Sequence, residues 1–138
     1  MARWLVDSDV LIDIALDREP HVDLSREAVD LLQQQRQQLF IAWHTASNVF
    51  YNVRRQANLP VARAFITSLL DFAEVAPTTT DNLRYALELL MPDFEDAMQV
   101  AAARACDAQF IITRNVRDFG RSPIPVLSPA DALAELSR

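Results

Sequence analysis

Two rhythms of apolar residues run through the chain. One is the short unbroken run: Trp4-Leu5-Val6, Leu39-Phe40-Ile41-Ala42 and Phe110-Ile111-Ile112, with weaker versions at Glu74-Val75-Ala76 and Val126-Leu127. Apolar runs without polar alternation predict strands covered on both faces, as in a parallel sheet. The other rhythm has the helical period. Leu24, Ala28, Leu31 and Leu32 lie on one side of a helix over Ser25 to Gln35. Ala46, Phe50, Val53 and Ala57 predict a core-facing helix over Thr45 to Ala57. Val61, Phe65 and Leu69 mark a fourth helix. Leu83, Ala86, Leu87 and Leu90 mark a fifth, and an alanine-rich sixth opens at Asp93.

Breakers fall between these segments. Pro20-His21, Asn58 to Pro60, Pro77 and Pro92 each end or separate a periodic stretch. Gln33 to Gln38 reads as a solvated helix end. Arg114 to Pro125 reads as a loop and holds the only glycine, Gly120. Ser128-Pro129-Ala130-Asp131 is a helix start, with Ser as N-cap, Pro at the first helical position and an acid in the third. Strands alternating with helices predict an α/β domain over residues 1–138. Its centre is a parallel sheet of four or five short strands, flanked by about seven helices. No linker or internal repeat interrupts it.

Composition narrows the class. At 138 residues, 51% hydrophobic and 23% charged, with a mean hydropathy of +0.02, the chain reads as one globular domain able to bury a core without staples. Cys106 stands alone, so no internal disulfide forms and a reducing, cytoplasmic location is expected. It reads as a buried small hydrophobe. No apolar run approaches a membrane span and no leader pattern is apparent. The net charge of −6 argues against a basic nucleic-acid coat protein. It leaves room for a nuclease, because cations can fill an acidic site. All 13 basic residues are arginine.

Acidic groups gather at strand ends and helix starts. Asp7 and Asp9 follow the first strand, Asp93, Glu95 and Asp96 open the sixth helix, and Asp118 follows the fourth strand. Ligands in open α/β sheets sit outside the carboxyl ends of the strands, where Asp7 stands. A carboxylate there is costly unless paired or metal-bound. Asp9 is expected either to cap the following helix or to join the site. Asp93 and Asp96, three residues apart, share a helix face, or serve as cap and dipole partner. If the first and fourth strands are neighbours, Asp7, Asp96 and Asp118 meet at one edge. Such hard oxygen donors suit Mg²⁺ or Mn²⁺ rather than zinc.

The blocks Asp7-Ser8-Asp9-Val10-Leu11-Ile12-Asp13 and DFEDAMQVAAARACDAQFIITRNVRDF (Asp93 to Phe119) resemble the signature blocks of PIN domains. Length and element order match as well. The resemblance implies a Mg²⁺- or Mn²⁺-dependent ribonuclease, including the VapC-type toxins of toxin–antitoxin pairs, with an antitoxin partner and a homodimer. It implies metal ligation by Asp7 and Asp96, with Asp118 as ligand or as holder of a metal-bound water. The chain departs from the pattern twice. Asn48 stands where the second block has Glu, and Asn115 stands where an acid follows Thr113 by two positions. Either amide can ligate through its carbonyl but adds no charge. Asp9 and Asp93 are secondary candidates, and Thr113 is expected to bond phosphate or a ligand carboxylate. Arg114 and Arg117, with Arg121, flank the site; they read as a solvated charged loop, or as candidates for RNA phosphates. Trp43 and Tyr51 are expected in core or dimer packing, with base stacking as the alternative. His44 is read as structural.

Two rivals remain. Asp7-x-Asp9 after a strand also resembles the nucleophile motif of haloacid-dehalogenase-like phosphatases, and receiver domains place acids similarly. Both generally use a later basic residue, most often Lys, and this chain has no Lys and only Arg114 as a substitute. The second rival is a PIN-like module that has lost catalysis and binds nucleic acid or protein, motivated by the two amides.

Overall fold

Five parallel strands form one sheet in the order β3-β2-β1-β4-β5 in a computed structural model that describes residues 1–138. The strands are β1 (Arg3–Val6), β2 (Gln38–Ile41), β3 (Ala73–Val75), β4 (Phe110–Ile112) and β5 (Val126–Leu127). Seven α-helices connect and cover them: α1 (Ser8–Ala15), α2 (Val22–Gln34), α3 (Trp43–Gln56), α4 (Leu59–Leu69), α5 (Thr80–Glu88), α6 (Phe94–Ala105) and α7 (Pro129–Leu136). β1 is central. Trp4 pairs in register with Leu39 on one side and Phe110 on the other, so the first and fourth strands are neighbours.

The unbroken apolar runs follow from burial on both faces. Trp4, Val6, Leu39, Ile41 and Ile112 point into one core, shared with α1, α2, α3, α4 and α7. Leu5, Phe40 and Ile111 point into the other, packed by Val100, Ala102 and Ala103 of α6. Alanine on α6 lets that helix lie close to the sheet. Cys106 is buried in this second layer, and burial pushes its thiol up to about 11, so it is unreactive.

Several boundaries differ from expectation. α2 starts at Val22 rather than Ser25, because Val22 is itself core. Gln38 opens β2 instead of closing a helix, after Arg36 turns the chain with φ 56°. α3 begins at Trp43, directly off the strand. The predicted loop contains a short 3₁₀ helix, Val116–Phe119, pinned by buried Phe119. With one glycine available, Asp17, Arg36, Leu90 and Asp107 take the left-handed conformation that follows α1, α2, α5 and α6.

The apolar faces are also not all core. On α4 the fully buried residues are Ala62 and Leu69, while Val61 is exposed. On α5 only Ala86 is buried; Leu83 and Leu87 face outward, as does Leu90 just past the helix end, because α5 packs chiefly on α6. Trp43 (73% exposed) and Tyr51 (56%) stand on the surface, which corrects the expectation of core packing for them. No helix is long and apolar enough to cross a membrane.

Candidate functional site

The carboxyl ends of β1, β2 and β4 open onto a polar cleft of about 350 Å³. Its lining includes Asp7, Asp9, Asn48, Glu95, Asp96 and Gln99. It lies between β1 and β4, whose onward connections to β2 and β5 run in opposite directions, where open α/β sheets place their ligands.

Asp7 is both cap and site. Its backbone is extended, and its Oδ1 accepts from Ser8 N at 2.7 Å, so Asp7 rather than Asp9 caps α1. Its Oδ2 accepts from the Thr113 hydroxyl at 2.8 Å, across the seam between β1 and β4. Burial, followed by the neighbouring Asp9 carboxylate, pushes Asp7 up to about 7, against the pull of Thr113 and Ser8; Asp96 adds to the rise. Thr113 thus meets a carboxylate, one of its two expected roles.

Asp9 lies in the first turn of α1. Its Oδ2 accepts from Arg114 N at 3.2 Å and from Asn115 Nδ2 at 2.9 Å. Burial raises its pKa, and Arg114 opposes that. One turn on, Asp13 is wholly buried and meets the Arg114 guanidinium, with Nε donating to Oδ2 at 2.6 Å. Arg114, read as a candidate for RNA phosphates or as part of a solvated loop, is instead committed to a buried partner, Asp13. Arg117 is exposed on the 3₁₀ helix and makes no ion pair.

Asp96 opens α6, where Asp93 caps the helix by accepting from Asp96 N at 3.2 Å. Capping is thus Asp93's structural role. Asp96 is pushed up to about 7, first by burial and then by the charges of Asp93, Asp118, Asp9 and Glu95. Asp118 is exposed on the 3₁₀ helix and is not part of the cleft wall; it acts on Asp96 through its field.

The two amides have a specific use. Asn48 Nδ2 donates to Glu95 Oε2 at 2.9 Å, as Asn115 Nδ2 does to Asp9. An acid at either place would set two like charges side by side. The amides turn repulsion into hydrogen bonds.

Three participants were not legible in the sequence. Thr45 and Gln99 are buried, and Gln99 Nε2 donates to Thr45 Oγ1 at 2.9 Å beneath the cleft. His44 lines the same cleft, and its Nε2 is buried without a partner. Burial lowers its pKa, against Glu95 and Asp93. Polar residues on buried helix faces are the one signal that was available.

The donor set fits a hard divalent cation in chemistry: carboxylates of Asp7 and Asp96, neutral amide oxygens, and the buried, unpartnered Gln99 Oε1. No three acidic, imidazole or thiol groups are gathered into a ready cage.

A sequence model described as "PIN domain" matches residues 3–117. No curated protein sequence matches the chain. Among solved structures, VapBC2 from Rickettsia felis bound to a promoter DNA fragment shares 16% identity at a TM-score of 0.72, covering 91% of this chain and 98% of that one. DNA-bound VapBC from Salmonella typhimurium shares 17% at 0.72, covering 94% and 99%. PAE2754 from Pyrobaculum aerophilum shares 19% at 0.63, covering 99% and 90%. At these identities the structures testify to the fold, and the sequence match spans most of the chain from β1 through the 3₁₀ helix. The protein belongs to the PIN-domain family.

Proposed function

We propose that this protein is a divalent-cation-dependent ribonuclease that hydrolyses RNA phosphodiester bonds as the toxin of a toxin–antitoxin pair. The observation that carries the reading is the pair Asp7 and Asp96. Both are carboxylates at the strand-end cleft, both raised to about 7, and both lack a cationic partner. A fold that keeps such a pair gains by binding positive charge there.

Asp7 and Asp96 would hold Mg²⁺ or Mn²⁺, with Asp9 and the Asn48 and Asn115 carbonyls as neighbouring oxygen donors and Asp118 adding field. The ion would supply electrophilic stabilisation of the scissile phosphate and a more acidic water. Thr113 and Ser8 N fix the Asp7 carboxylate from two sides, so its orientation is set before any ligand arrives. Arg117, exposed and outside any ion pair, is an available cation for the RNA backbone. Mn²⁺ titrated calorimetrically into wild type is expected to give saturable binding that both Asp7→Ala and Asp96→Ala abolish, along with cleavage of RNA. Unchanged heats in both variants would sink the proposal.

The rival reading of a non-catalytic binding module is favoured by one observation, the use of Asn48 and Asn115 to neutralise repulsion among the acids. The titration separates the two, because a module without a cation site gives no saturable signal.

A homodimer belongs to the same reading. Leu83 and Leu87 on α5, with Leu90 just past its end, are exposed apolar side chains that a second copy would cover. Light scattering is expected to show a dimer for wild type and a monomer for Leu87→Glu; a wild-type monomer would refute it. By kinship with the VapBC complexes, an antitoxin is the expected protein partner.

A further inference from the structure

One polar atom in the cleft is left over. Gln99 lies on α6 one turn after Asp96, so the two side chains emerge on the same side. The residue is 1% exposed. Its amide nitrogen is anchored: Nε2 donates to Thr45 Oγ1 at 2.9 Å and reaches Ser8 Oγ at 3.5 Å, and Ser8 Oγ lies 3.3 Å from Thr45 Oγ1. Those hydroxyls come from α3 and α1, so three helices converge on the amide. The other end, Oε1, is buried and receives no hydrogen bond. Gln99 shares the cleft wall with Asp7, Ser8 and Asp96.

Leaving a buried carbonyl oxygen unbonded forfeits its hydration with nothing in return. Once ionised, the neighbouring carboxylates only accept and cannot supply the missing donor. It has to arrive with a ligand that is positive or carries polarised O–H groups. Because Ser8 N also donates to Asp7, the same network that fixes the amide adjoins the carboxylate.

We propose that Gln99 is a positioning residue for the cation site, its Oε1 accepting from the hydration shell of the divalent ion held between Asp7 and Asp96. The inference rests on the cation reading given under Proposed function. It adds that hydration is fixed by the protein on the side facing Gln99, and that Ser8 and Thr45 hold Gln99 in the accepting orientation.

The test is Mn²⁺ calorimetry on wild type, Asp7→Ala, Gln99→Met and Gln99→Glu, with thermal unfolding of each cation-free protein. Gln99→Met fills the space without an acceptor and is expected to bind about 10-fold more weakly while still unfolding cooperatively. Gln99→Glu keeps acceptors at the cleft and is expected to bind at least as tightly as wild type. Should Gln99→Met fail to fold, Gln99→Glu decides: weakened binding overturns the assignment. Binding that Asp7→Ala removes and Gln99→Met leaves intact overturns it too, with the cation reading standing. No saturable binding in wild type overturns both.

Discussion

Arg114→Ala is expected to destabilise the protein by about 3–5 kcal/mol, the effect of stranding a buried charge. Asp13 is wholly enclosed, and the Arg114 guanidinium reaches it with Nε at 2.6 Å and Nη2 at 3.4 Å. No other cation touches Asp13. In a domain of this size the loss lowers the unfolding temperature by roughly 10 °C or more. Replacing both partners, Asp13→Leu with Arg114→Met, is expected to recover most of the loss, because the burden lies in the unpaired charge rather than in any large surplus from the pair. Thermal unfolding of the three proteins checks this, and an Arg114→Ala variant within about 1 kcal/mol of wild type would contradict the interior role. The same arginine carries the backbone amide that bonds Asp9, and its neighbours Thr113 and Asn115 bond Asp7 and Asp9. Loosening it is therefore expected to weaken Mn²⁺ binding as well.

Metal-free protein is expected to lose stability as pH rises from about 4 to 7, and added Mn²⁺ to reverse the loss. Asp7 and Asp96 sit near 7 in the folded chain against an ordinary 3.8. Between those values the folded state holds protons that the unfolded state has released. Their contribution is fully present below the unfolded pKa and fades through the folded one. For Asp7, which is buried, the loss from pH 5 to 7 is roughly 2 kcal/mol. The half-buried Asp96 adds in the same direction, less because solvent screens it. A bound cation favours the charged carboxylates, so Mn²⁺ should raise the unfolding temperature strongly at pH 8 and little at pH 5. Unfolding curves at several pH values, with and without Mn²⁺, test this. A stability that climbs steadily from pH 5 to 8 without cation would refute the assignment of Asp7 and Asp96 as strained acids.

Much of the architecture is local in origin and was therefore readable. Short apolar runs can satisfy their backbone groups and bury both faces only inside a sheet, which located all five strands. Ser128 and Asp93 cap helices through bonds to residues three positions on, a range at which sequence order is geometry. Asp7 and Asp96 were placed at the site because strand ends and helix starts converge at one sheet edge.

Tertiary structure decided the rest. An apolar stripe on α5 has a legible period, but the period is silent about what covers it, and Leu83, Leu87 and Leu90 point away from the core. Arg114 looked like a phosphate ligand because a cation beside acids has two possible partners, and a buried Asp13 lying 101 residues away took it. The amides of Asn48 and Asn115 find Glu95 and Asp9 across 47 and 106 residues. Gln99 joins Thr45 across 54. Caps and strands were fixed by neighbours in the chain. Charge pairing and polar satisfaction at the cleft depend on which distant atoms folding brings within 3 Å or so, and the sequence alone does not carry that distance.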